Sequence, residues 1–159
     1  MSDELFETGL RIRKEVLGEE YVERSLANAD DFSKDSQRLV TEYCWGACWG
    51  REGLNKKTRS MLNLAMISAL NRPHELKMHV KGALVNGVTK DEIREIFFAV
   101  AVYCGVPAAN HAFKEAAEGI AEVGANPGAS LSAREAVAAG QRQCNYTVPN
   151  CFRGARTDD

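Results

Sequence analysis

The chain has 159 residues, 45% of them apolar and 26% charged, with a formal net charge of −2. Those values describe a globular chain long enough to bury a core without a metal or disulfide staple. They also argue against a nucleic-acid partner, since there is no global basic field and no block of Lys and Arg, and against a membrane span, since no apolar run reaches about 18–20 residues.

Apolar residues recur at helical spacing almost throughout, and long alternating runs are missing, so an all-α domain is expected. The first helix is expected over residues 3–17, with Leu5, Leu10, Ile12 and Val16 facing a core and Gly18 as its stop. The stretch "MSDELFETGLRIRKEVLG" is acidic and amphipathic and lacks the basic start and apolar run of a signal peptide, so the chain is expected to be cytoplasmic. A short second helix follows from Tyr21 to Ala29.

The third helix, over 33–49, opens in "NADDFSKDS", where Asp and Ser supply cap acceptors. At 100° per residue, Leu39, Val40, Tyr43, Cys44 and Ala47 share one face, and Trp45 and Trp49 form a stripe opposite. Apolar matter on two sides predicts an internal helix or a subunit interface. The fourth, over 56–71, is apolar nearly all round and is expected to be central.

The fifth begins at Pro73, where a missing N–H costs nothing, and stops at Asn86-Gly87. The sixth opens on Thr89-x-x-Glu92, a capping box, and runs to Gly105; the seventh restarts at Pro107. This helical domain is expected to occupy 1–124, and 125–159 to be a linker, "ANPGAS", a short helix capped by Ser132 and Glu135, and a C-terminal arm.

Five cysteines, an odd number, are expected to be reduced thiols, and the absence of a C-x-x-C pair argues against zinc. Cys44 and Cys48, four residues apart, read as buried small hydrophobes, because a straight helix holds their Cβ atoms about 5–6 Å apart, too far for an unstrained disulfide. On the fifth helix Leu76, His79, Val80, Ala83 and Leu84 follow core spacing, so His79 points inward. A structural core histidine is the simpler expectation from spacing alone. Glu75, one turn earlier, is placed to hold one ring nitrogen and set the tautomer, or else is a solvated first-turn acid.

The stretch "RSMLNLAMISALNRPHELKMHVKGALVNGVTKDEIREIFFAVAVYCGVPAANHAFKEA", with the flanks "GLRIRKEVLG" and "YCWGACWGREGLNKKTRS", resembles the carboxymuconolactone decarboxylase family, which shares the alkylhydroperoxidase D fold. The resemblance covers about residues 5–124. The redox branch of that fold carries E-x(11)-C-x-x-C-x-x-x-H; aligned on His79 with a one-residue gap, this chain has Arg72 and Glu75 at the cysteines and Ser60 near the glutamate. Neither replacement supplies the thiolate that disulfide chemistry needs. Relatives also often carry an acid in the W-G-x-x-W stretch, where this chain has Ala47.

The resemblance implies conversion of 4-carboxymuconolactone to the enol-lactone of 3-oxoadipate with loss of CO2, in aromatic-compound degradation. Such a substrate holds its own electron sink, so no cofactor or metal is expected. The resemblance further implies a homo-oligomer, a hexamer or trimer. On this footing His79 is expected to handle the proton, helped by Glu75, with Arg51 and Arg72 as carboxylate-binding candidates and Trp45 and Trp49 as pocket walls. His74 and His111 are expected to be structural or solvated. Three alternatives stand beside it: a thiol peroxidase or disulfide reductase, a divergent lactone-processing enzyme, and a non-enzymatic oligomer that binds small acids.

Overall fold

Local signals set most of the helix ends in the computed structural model, which describes residues 3–125. The Asn55 side chain accepts from the Thr58 amide at 2.8 Å and starts one helix. Thr89 and Glu92 form the expected reciprocal capping box. Gly87, at φ 83°, takes the left-handed turn that ends the His79 helix with little steric cost.

In chain order the elements are α1 (Asp3–Leu17), α2 (Glu19–Ala27), α3 (Lys34–Leu39), a π-helix (Val40–Trp49), α4 (Lys56–Ala69), α5 (Pro73–Val85), α6 (Lys90–Cys104) and α7 (Val106–Ala125). The all-α expectation holds for the described residues. The short helix and arm expected after the linker lie outside them.

Two apolar clusters organise the packing. The larger joins α4 to α7, with Leu64, Val80, Leu84, Phe97 and Ala112 wholly buried and Phe113 edge-on to Phe97 at 5.3 Å. The smaller, Ile12, Val16 and Trp45, joins α1 to the π-helix. At two glycines these elements also approach backbone to backbone. A Cβ at Gly9 would stand 2.0 Å from the Thr41 carbonyl oxygen, and one at Gly46 2.4 Å from that of Leu5.

The π-helix corrects the face assigned to the third helix. Its bonds run from i to i+5, which widens the turn and rotates each residue away from its α-helical azimuth. Thr41, Glu42, Trp45 and Gly46 are buried, whereas Tyr43, Cys44 and Ala47 are exposed, so of the two expectations the internal helix does not hold within the single chain. Cys48 is exposed too, so the two cysteines are not core hydrophobes. Likewise α4 is not enclosed on all sides: Leu64 is buried, but Leu62, Met66 and Leu70 form an exposed apolar ridge. No described helix is long and apolar enough to cross a membrane.

Candidate active site

A cavity of about 420 Å³ opens along the seam between the two clusters. The π-helix forms one wall with Val40, Cys44, Trp45, Cys48 and Trp49; α4 contributes Arg59, Leu62, Asn63 and Met66; α5 adds Met78 and His79. Arg13 and Leu17 of α1 and Tyr21 of α2 close the remaining side.

His79 is half-buried in this seam, its ring stacked on Trp45 at 6.2 Å between centroids and 16° between planes. Trp49 packs on Trp45 at 4.9 Å. Both tryptophans line the cavity. The amide nitrogen of Asn63 lies 2.9 Å from His79 Nδ1 and donates to it, so the neutral ring carries its hydrogen on Nε2. Burial pushes the His79 pKa down from 6.5 to about 4, a shift only partly opposed by the Glu75 charge. At neutral pH the ring is a neutral N–H donor rather than a group poised between two protonation states.

That geometry revises the second member of the expected pair. Glu75 is exposed and does not line the cavity; Asn63, from a different helix, holds the ring instead, and Glu75 acts on His79 only through its charge. The arginine assignments change as well. Arg51 and Arg72 are exposed and outside the cavity lining. Arg59 does line it: its Nε donates to the Leu54 carbonyl at 3.1 Å and its Nη2 to the Arg51 carbonyl at 2.8 Å, with Nη1 3.9 Å from Cys48 Sγ. Neutral acceptors thus fix the guanidinium, and no described carboxylate neutralises it. Arg59 precedes Asn63 by one helical turn, so it shares the side of the cavity that carries His79.

Ala47 does not line the cavity. His111 is exposed, with Nδ1 3.1 Å from Asn71 Oδ1, and neither it nor His74 lines this cavity. Among the described residues no three His, Cys, Asp or Glu side chains converge to hold a metal.

A profile of the carboxymuconolactone decarboxylase family matches residues 34–118, more than half of the chain. The chain belongs to that family. The match takes in the π-helix, α4 and α5, which carry most of the cavity wall. A 4-carboxymuconolactone decarboxylase of Acinetobacter baylyi is 43% identical over 128 residues, covering 80% of this chain and 96% of that protein. A nitrosuccinic acid decarboxylase of Metarhizium robertsii is 50% identical over 103 residues, covering 65% of this chain and 72% of that protein. An uncharacterized 15.0 kDa protein of Paracoccus denitrificans is 39% identical over 86 residues, covering 52% of this chain and 63% of that protein. Both relatives with a named activity are decarboxylases.

Proposed function

We propose that this family member is a decarboxylase that uses the seam cavity to release CO2 from 4-carboxymuconolactone without a cofactor. The observation that carries the assignment is His79, set in an apolar cavity, fixed in one tautomer by Asn63, with Arg59 on the same side.

In the lactone, the carbon that loses CO2 is joined through the ring double bond to the lactone carbonyl. When the C–C bond breaks, its electron pair moves onto that carbonyl oxygen and CO2 departs neutral. The resulting dienolate then takes a proton on carbon, from water or a cavity group. A protein assists most by aiming fixed donors at the oxygen where charge develops, in a site that excludes water. His79 Nε2–H is such a donor; a neutral imidazole is suited to the task because it enters the reaction with no proton to lose first. Arg59 adds positive charge to the same side.

A second substrate is favoured by the fungal relative, whose printed activity is on nitrosuccinic acid. There the nitro group is the sink and a nitronate replaces the dienolate. Both compounds lose CO2 from a carbon that also bears a CH2–COO⁻ arm, so one arrangement of donors serves both. The thiol peroxidase alternative is weaker, because the positions aligned with the redox cysteines are Arg72 and Glu75.

Self-association is part of the proposal. Leu62 and Met66 are at once exposed and on the cavity rim, and Val102, Tyr103 and Val106 make a second exposed apolar group. A homo-oligomer, trimer or hexamer, would cover such surface, and light scattering on a sizing column reads its mass. The free thiols fit the reducing cytoplasm.

The deciding experiment is CO2 release from both compounds by wild type and by His79→Gln, with folding checked by circular dichroism. Release by wild type and its loss in the folded variant are expected. A folded wild type inert toward both compounds would overturn the assignment.

A further inference from the structure

Arg13 is an unusual charge. It is 5% exposed, yet it lines the cavity. Its Nη1 donates to Thr41 Oγ1 at 3.0 Å, and its Nη2 to Gln37 Oε1 at 3.0 Å and Ser25 Oγ at 3.3 Å. All three acceptors are neutral. Nε is buried and finds no partner among the described residues. The buried carboxylate next to Thr41, Glu42, makes no hydrogen bond or ion pair with Arg13: its Oε1 accepts from Arg38 Nε at 3.1 Å, and its Oε2, also buried, finds no partner among the described residues. If the role were only to tie α1 to α2, α3 and the π-helix, a neutral amide would make comparable bonds without the desolvation cost of a cation. A guanidinium held ready by neutral acceptors, in the wall of a cavity, is instead what an anionic ligand requires.

Its position separates it from Arg59. Arg13 is tied to Gln37 and Thr41, at the start of the π-helical wall, and Arg59 to Cys48 and Arg51, at its end. His79 and Asn63 lie on the Arg59 side. An arginine that grips the departing carboxylate stabilises the ground state, because that charge leaves the carboxylate during the reaction; one that grips the carboxylate left behind positions the substrate at no such cost.

Resting on the decarboxylase assignment above, we propose that Arg13 seats the CH2–COO⁻ arm that survives the reaction, so the site selects dicarboxylates built as substituted succinates. The second substituent, lactone ring or nitro group, needs only to be an electron sink directed at His79 and Arg59. Specificity then lies in the Arg13 end of the cavity and chemistry in the other.

The test compares kcat/KM for nitrosuccinate and for its monoester at the retained carboxyl, in wild type, Arg13→Gln and Arg13→Lys. Wild type is expected to prefer the diacid by about 100-fold, the loss typical when one partner of a buried charge pair is removed. In folded Arg13→Gln that preference should fall to within about threefold of unity, through KM more than kcat. Arg13→Lys keeps the charge but loses the planar fork, and should raise KM for the diacid while leaving the monoester unchanged. A wild type indifferent to esterification would overturn the proposal, as would a folded Gln variant that keeps the full preference or a Lys variant that weakens both substrates equally. Calorimetry with succinate and propionate reads the seat without turnover. Arg13-dependent preference for succinate in a protein inert toward both substrates would retain the seat and reject the decarboxylase assignment, whereas turnover without that preference would do the reverse.

Discussion

The depressed pKa of His79 makes stability pH-dependent in a calculable way. In the unfolded chain the imidazole titrates at its ordinary 6.5, and in the folded protein at about 4. Between these values the unfolded state binds more protons, so stability falls as pH falls from 6.5 towards 4 and is unaffected by this group above 6.5. The full interval corresponds to about 3 kcal/mol, most of which has been lost by pH 4.5. His79→Gln removes the titrating group while keeping a side chain able to meet Asn63. Urea denaturation of both proteins at pH 7.0 and 4.5 should therefore show the wild type losing about 2 kcal/mol or more beyond what the variant loses. Equal losses in the two proteins, or an imidazole resonance titrating near 6.5 in the folded wild type, would refute the claim that desolvation holds the ring neutral.

The same state predicts that kcat/KM shows no break near pH 6.5, since the free enzyme's His79 is already a neutral donor there; a limb at that pH in a pH–rate profile would contradict it. Asn63→Leu frees Nδ1 and with it the tautomer, and is expected to lower kcat by about 10–100-fold with little change in KM, measured by steady-state CO2 release. Arg59→Met should lower kcat/KM by at least about 10-fold while Arg51→Met and Arg72→Met stay near wild type, the reverse of what sequence adjacency to Trp49 and His79 alone predicts. Gly9→Ala forces a Cβ to within 2.0 Å of the Thr41 carbonyl oxygen and should destabilise by more than about 3 kcal/mol in urea unfolding.

What the sequence made legible was local. Pro73, Gly87 and the Thr89–Glu92 pair each act within one turn, and the helix boundaries they imply fall within a few residues of those observed. The spacing of Leu76, Val80, Ala83 and Leu84 located the core face of α5, and His79 with it. The bounds of the third helix, 33–49, match α3 and the π-helix together, but its faces do not follow, because projection at 100° per residue assumes an α-helix and nothing in "VTEYCWGACW" announces an i to i+5 pattern. One-turn spacing points to Glu75 as the partner of His79, whereas Asn63 arrives from another helix. Its one available signal was a carboxamide inside the apolar run "MLNLAMISAL". Arg51 and Arg72 were favoured through adjacency in sequence to Trp49 and His79, while Arg59 reaches the cavity by folding back over the loop that precedes its own helix. Arg13 sits at buried spacing with Gly9, Ile12 and Val16, a pattern that marks a charged residue inside the fold but names no ligand for it.

The glycine contact between α1 and the π-helix ties assembly of the fold to assembly of the pocket. A π-helix gives up the tighter hydrogen-bond geometry of the α form, so this one persists through what it packs against. Its closest neighbour is α1, meeting it backbone to backbone at Gly9 and Gly46. If the segment relaxed to an α-helix, Trp45 would rotate out of the wall and the stacking surface beneath His79 would go with it. Docking of the first seventeen residues is therefore the step that shapes the binding surface, and a chain shortened at its N-terminus would lose ligand recognition before it lost the α4–α7 core.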